Sequence, residues 1–240
     1  MAIIHKGEHN LKKQARHYLL TSGICLGLII AYAFVFINSG TDFAVHPAFH
    51  ILPLLWLWGI FFYYRKYKNF LAGAIGENHL LAELRQLPNT YHIFTNFIIQ
   101  EKGIRDEADF VVVGENGVFV IEAKNYCGQI TGNADDLEWQ QRKVAKGGKE
   151  VVKGILNPVK QATWHTLNMA RLLKNHGFNL YVNAILAFTS PHVQLSIEAN
   201  NLFIVHGCKK INAAILNYRP TKKLDKNMVK DIVRVLSTLK

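Results

Sequence analysis

Apolar positions in this chain follow two regimes. From Tyr18 to Asn38 the run YLLTSGICLGLIIAYAFVFIN carries no charge, and from Pro47 to Tyr64 PAFHILPLLWLWGIFFYY is again uncharged. The first has the length an α-helix needs to cross a hydrocarbon core of about 30 Å. The second is shorter and contains His50 and Pro53. Neither shows the polar stripe that a helix on a globular core turns toward water. The first is also too long for the apolar stretch of a signal peptide. The pattern predicts a two-helix transmembrane hairpin over 18–68, with helices at about 18–38 and 47–64. Lys12, Lys13 and Arg16 precede it, and Arg65, Lys66 and Lys68 follow it. The connecting SGTDFAVH has no Lys or Arg. The positive-inside rule then gives a two-pass protein in the lipid bilayer with both termini cytosolic, residues 1–17 forming a cytosolic N-terminal segment. His50 reads as a packing or helix-end residue, with an intramembrane functional role as the alternative.

From Asn69 the texture becomes mixed, and a second domain is expected over 69–240. Leu80, Leu81, Leu84 and Leu87 recur at helical spacing and stop at Pro88, predicting a helix over 76–87. Residues 91–100 are β-rich, and 101–108 read as a polar connector. DFVVV, the turn GENG and VFVIEAK predict a β-hairpin. A short strand is expected at 129–131 and a mobile basic loop over 139–156. Asn157 and Pro158 are a cap and a first-turn residue for a helix reaching about Asn175. Strands at 181–188 and 202–205 and a polar helix from about Leu224 complete a mixed α/β sheet flanked by helices.

Charge and cysteine content refine this picture. The formal charge is +11, and the part beyond Asn69 holds 21 Lys/Arg against 15 acids. Such a surplus suits acidic partners, a nucleic acid or an anionic membrane. Cys25, Cys127 and Cys208 are too few and too scattered for a disulfide framework or a structural zinc site, which fits a reducing compartment.

The chemistry gathers on the hairpin. Glu122 and Lys124 are two apart on a strand and share a face, although ionisable residues are rare in so apolar a run. With Glu115-Asn116 as the turn, Asp109 stands opposite Glu122; with Asn116-Gly117 it stands opposite Lys124. Both registers keep Asp109, Glu122 and Lys124 together, and only a one-residue slip or a bulge separates them. Two carboxylates and an amine suit a hard divalent cation and phosphate chemistry, or form a buried ion pair that closes a strand end.

Asp109 followed by Glu122-Ala123-Lys124 resembles the D…(E/D)xK signature of the PD-(D/E)xK nucleases. Gly76-Glu77, GENGVFVIEAKNYCGQITG, Trp139 and NPVKQ at 157–161 narrow the resemblance to the nuclease-related domain (NERD) family over 73 to about 190. It implies a restriction-endonuclease-like fold and a nuclease dependent on Mg²⁺, with Mn²⁺ as substitute. Asp109, Glu122 and Glu77 would be metal ligands, Lys124 the catalytic lysine, and Gln161 a group reaching the site from the later helix. Glu77 also suits a plain helix-start acid. The chain departs from the pattern at Phe110, where such sequences often have His. It departs again at His165, where several related nucleases place Tyr.

Arg142, Lys143, Lys146, Lys149 and Lys153 suit either a solvated loop or one that contacts a nucleic-acid backbone. Trp139 suits an anchor for that loop or a base-stacking platform. The expectation is a membrane-anchored nuclease acting on DNA or RNA from the cytosolic side. Its alternative is a non-catalytic binding or scaffold module on the same fold.

Overall fold

The structure, a computed structural model, describes residues 1–7, 10–39, 47–101, 103–145, 147–198 and 202–239. Two compact units emerge, His9–Ile75 and Met1–Glu8 together with Gly76–Lys240.

The first unit contains α1 (Asn10–Ser39) and the start of α2 (Leu52–Leu84). The two helices pack antiparallel. Ser22 Oγ donates to the Ile60 carbonyl, Tyr32 shares a hydrogen bond with His50, and Tyr18 stacks on Tyr63 and Phe70. His50 therefore has a packing partner. Leu20, Ile24 and Phe34 on α1, and Leu54, Trp58 and Phe61 on α2, lie exposed. Among the described residues one helix, over Asn10–Asn38, is long and apolar enough to cross a membrane. The second run misses that standard because Pro47–Ile51 is a 3₁₀ turn and α2 begins only at Leu52. That leaves a short apolar stretch before Arg65, Lys66 and Lys68 inside the same helix. No proline interrupts residues 65–75, and the single Asn69 and Gly73 do not stop a helix. One continuous helix thus replaces the two expected over 47–64 and 76–87.

The second unit is built on a six-stranded mixed sheet. Its strands, in spatial order, are β1 (Ile3–His5), β2 (His92–Glu101), β3 (Ile104–Gly114), β4 (Gly117–Lys124), β8 (Val182–Phe188) and β10 (Phe203–His206). β2, β3 and β4 run antiparallel, while β1/β2, β4/β8 and β8/β10 are parallel. β1, within the segment expected over 1–17, is part of this sheet. Ile3 N donates to the Tyr91 carbonyl, His5 stacks on Phe94, and Gly7 N donates to Thr95 Oγ1. The connector expected at 101–108 is also strand, so β2 and β3 form one long hairpin.

Leu80, Leu81 and Leu84 of α2 cover one face of the sheet, against Phe110, Val112, Phe119 and Ile121. α3 (Pro158–Asn175) and α5 (Lys226–Thr238) cover the other, through Met169, Leu172, Ile232 and Leu236. α5 is amphipathic rather than uniformly polar, since Val229, Ile232, Val233 and Leu236 bury one stripe. α4 (Ile211–Leu216) packs its Ile211 and Ile215 into the α2 side.

A second sheet has the order β7 (Glu150–Leu156), β6 (Glu138–Val144), β5 (Gly128–Asn133), β9 (Val193–Glu198). The mobile loop expected over 139–156 is thus the β6–β7 hairpin. Trp139 is wholly buried in its base, with its indole N–H donated to the Asn133 carbonyl. The tryptophan is an anchor, not a surface for stacking bases.

Candidate active site

The turn of the β3–β4 hairpin is Glu115-Asn116, since Gly114 pairs with Gly117 and Val113 with Val118. Asn116 is buried and donates to the carbonyls of Ile215 and Leu216, which holds this register. Asp109 therefore stands at the level of Glu122. The ladder nevertheless stops at Phe110–Ile121, because Asp109 Oδ2 accepts the Ala123 N–H at 2.8 Å.

On the other side of β3 the pairing runs Thr95–Phe110 and Phe97–Ala108, and skips the level of Asn96 and Asp109. Asn96 has φ 49°, the described residues' one non-glycine with positive φ. Side-chain alternation slips at this level in both strands. Val111 and Val113 face the α3 layer, yet Ala108 faces it too; Phe94 and Phe97 repeat the pattern on β2. The β3–β4 register itself is not slipped; the irregularity is a break in alternation across β2 and β3. It occurs at Asp109 itself, so the carboxylate meets groups from both faces of the sheet.

Five side chains stand in series beside it, Gln161, Lys124, Glu122, His165 and Asp106. Lys124 Nζ lies 2.6 Å from Glu122 Oε1 and donates to Gln161 Oε1 at 2.8 Å. His165 Nδ1 lies 3.1 Å from Glu122 Oε2, at ion-pair distance but off the line of a hydrogen bond, so neither atom is otherwise satisfied. His165 Nε2 lies 3.0 Å from Asp106 Oδ1. Gln161 and His165 are one helical turn apart on α3. Glu77 comes from α2, buried, with a hydrogen bond from the Asn96 side chain.

The charges are mutually perturbed. Burial, then the charges of Glu107 and Glu122, push Glu77 up to about 7 despite Asn96 and Lys124. Asp109 retains some surface, but its dense surroundings and the charges of Glu122 and Glu77 raise it well above the ordinary carboxylate range. Burial alone would raise Glu122, yet His165 and Lys124 outweigh it and hold Glu122 low. Lys124 is raised, since Glu122 and Tyr126 overcome its own burial. It is a cation at neutral pH. For His165, Glu122 and Asp106 likewise outweigh burial and raise its pKa. Among the described residues no three His, Cys, Asp or Glu side chains converge at metal-ligand distance.

The nuclease-related domain family matches residues 72–189, the span that holds every one of these groups. Through this segment the chain belongs to the nuclease-related domain family. The family lies within the PD-(D/E)xK superfamily. An uncharacterized Bacillus anthracis protein is 37% identical over 71 residues, covering 29% of this chain and 34% of that protein. The chain thus spans about a third of the length of the curated relative it matches. No solved structure matches it.

Several of the nuclease-related domain's motif residues have plain structural reasons. A Cβ on Gly76 would fall 2.4 Å from Thr189 Oγ1 and 2.8 Å from Asn125 Cβ, so only glycine lets α2 approach here and carry Glu77 inward. Asn157 caps α3 by accepting from Val159 N, and donates to the carbonyls of Asn133, Ala134 and Asp136. It thereby ties the helix bearing Gln161 to the second sheet. Asn96 and Asp106 were not singled out by the sequence reading. An asparagine inside a β-rich run was the one available signal for the first.

The basic cluster is divided by the β6–β7 register. Gln141 pairs with Lys153 and Lys143 with Val151, so Lys143 and Lys153 share one face. Arg142 pairs with Val152 on the opposite face, where it bonds Glu150 at 3.2 Å. Lys149 lies at the exposed tip, and Lys146 falls outside the described residues.

Proposed function

We propose that this protein is a metal-dependent nuclease that hydrolyses phosphodiester bonds of DNA or RNA, displayed on the cytosolic face of a membrane. The observation that carries the reading is the clasp on Lys124. One half-buried ammonium is held between Glu122 and the exposed Gln161, beside Asp109 and Glu77.

The residues present fit a hard cation. Glu122 Oε2 is a buried oxygen without a hydrogen bond, and Asp109 and Glu77 are acids that hold their protons more tightly than usual and whose carboxylate forms a cation would stabilise. Magnesium needs only one or two carboxylates, keeping water in its other positions. Asp109 and Glu122 would hold it, with Glu77 near enough to act on the pair through its charge. A bound Mg²⁺ supplies a water of lowered pKa and charge stabilisation at the phosphate. Lys124, protonated and fixed by two partners, is ready to meet charge developing on phosphoryl oxygens. Gln161 keeps the ammonium from turning wholly to Glu122. Lys143 and Lys153 are free on one face of the β6–β7 arm to follow a phosphate backbone.

The membrane reading is supported by α1 and by β1. α1 exposes apolar side chains around its length. β1 precedes α1 but pairs with β2, which supports a placement of the segments flanking the helical unit on one side of the bilayer. The apolar start of α2 is then the return pass. The basic flanks support the cytosolic side.

The experiment is the full chain in detergent with labelled DNA and RNA, with Mg²⁺, Mn²⁺ or EDTA. Cleavage with metal and none with EDTA is expected; salt-sensitive binding without cleavage under any metal would replace the enzyme with a binding module.

A further inference from the structure

α3 places Gln161, His165 and Asn168 on one stripe, at i, i+4 and i+7. Gln161 grips Lys124. His165 is 4% exposed, and both its ring nitrogens face carboxylates, Nδ1 toward Glu122 and Nε2 toward Asp106. Asp106 is itself fixed: its Oδ1 accepts from Glu107 N at 3.0 Å and its Oδ2 from Asn168 Nδ2 at 3.3 Å. Arg171 bonds Asn168 Oδ1 in turn. The slip in β3 makes this chain of contacts feasible. Continued without it, the alternation of Val111 and Val113 would turn Asp106 to the α2 side, away from His165.

We propose that His165, held by Asp106, is a positioning residue that sets the orientation of the Glu122 carboxylate toward the metal. The inference rests on the nuclease reading above. Glu122 has two constraints, Lys124 on Oε1 and His165 on Oε2, and together they define the plane of the carboxylate. The lone pairs that remain are then aimed by α3 rather than by chance. Glu122 Oε2 and His165 Nδ1 are buried, 3.1 Å apart and without a hydrogen bond. Such a costly arrangement persists where function uses it. Partners of this kind behind a metal ligand are worth about 10–100-fold in metal affinity or activity.

The test uses the full chain in detergent, with Mn²⁺ affinity from calorimetry and kcat and KM for cleavage measured separately. His165→Ala should weaken Mn²⁺ binding and lower kcat by about 10–100-fold at a parent-like KM. His165→Asn, whose NH₂ stands in for Nδ1, should recover part of both. Asp106→Ala should give a smaller loss and, added to His165→Ala, no further one, because Asp106 acts only through the ring. Should alanine at 165 unfold the chain, His165→Asn and Asp106→Ala carry the same readouts, each expected below the parent in kcat. Parent-like metal binding and kcat in a folded His165 variant would overturn the inference, as would full additivity with Asp106→Ala. A parent that neither binds Mn²⁺ nor cleaves would instead remove the nuclease reading, and the positioning role with it.

Discussion

Asn96 and Asp109 stand across from each other at the one level where the β2–β3 ladder is skipped, and side-chain alternation slips there in both strands. Positive φ at a residue with a Cβ costs free energy, and asparagine bears it better than most. Asn96→Val should destabilise the protein by about 1–3 kcal/mol, and Asn96→Gly by less, as read from denaturant midpoints. Equal effects of the two would mean that the backbone at Asn96 is not what the position requires.

Glu77 carries a pH signature. Its acid is raised from an ordinary 4.5 to about 7, so the folded chain keeps a proton that the unfolded chain releases. The stabilisation is complete below the unfolded value and is lost as pH rises through about 7. A rise of that size is worth up to about 3 kcal/mol. Glu77→Gln should therefore raise the melting temperature of metal-free protein at pH 8 and change it little at pH 4. A gain of the same size at both values would show that the buried charge is not responsible.

The β6–β7 arm separates two kinds of cation. Reversing Lys143 and Lys153 to Glu should weaken nucleic-acid binding and flatten its log–log salt slope by about 2. Arg142→Glu should do less, because Arg142 already bonds Glu150 on the other face. Equal losses from either change, read by fluorescence anisotropy at several salt concentrations, would show that the face does not matter.

The proposed topology has its own test. In intact cells expressing a chain whose native cysteines are replaced, a cysteine at Thr41, in a stretch outside the described residues, should react with an impermeant reagent. Cysteines at Lys6 and Lys240 should be protected. Labelling at only one of Lys6 and Lys240 would mean that the chain crosses an odd number of times, against the proposed topology.

The hairpin with Glu122 and Lys124 was legible because two β-branched runs around the GENG turn are a local signal. The cap of α3 was legible for the same reason. The slip at Asp109 was not, since it depends on φ at Asn96, a residue in another strand. Nor was Asp106 as a partner of His165, which needs that slip and the placement of α3 together. β6 and β7 escaped because EWQQRKV and EVVKGIL are largely exposed, and only Trp139, Gln141 and Ile155 at the base turn inward. Three residues of β1 carry no periodicity, and their pairing spans nearly ninety positions of chain, roughly the Ile4–Ile93 separation.

The central claim is that Lys124 acts on the reacting phosphate rather than closing a strand end as half of an ion pair. Losing a group that works mainly in the transition state lowers turnover more than binding. The decisive measurement is the Mg²⁺-dependent cleavage rate of Lys124→Ala full chain, with its nucleic-acid dissociation constant and melting curve taken alongside. The rate should fall by about 10²–10³, with affinity and folding near those of the parent. A folded Lys124→Ala protein that cleaves like the parent would contradict the account, and one that no longer folds would return Lys124 to the role of a buried ion pair.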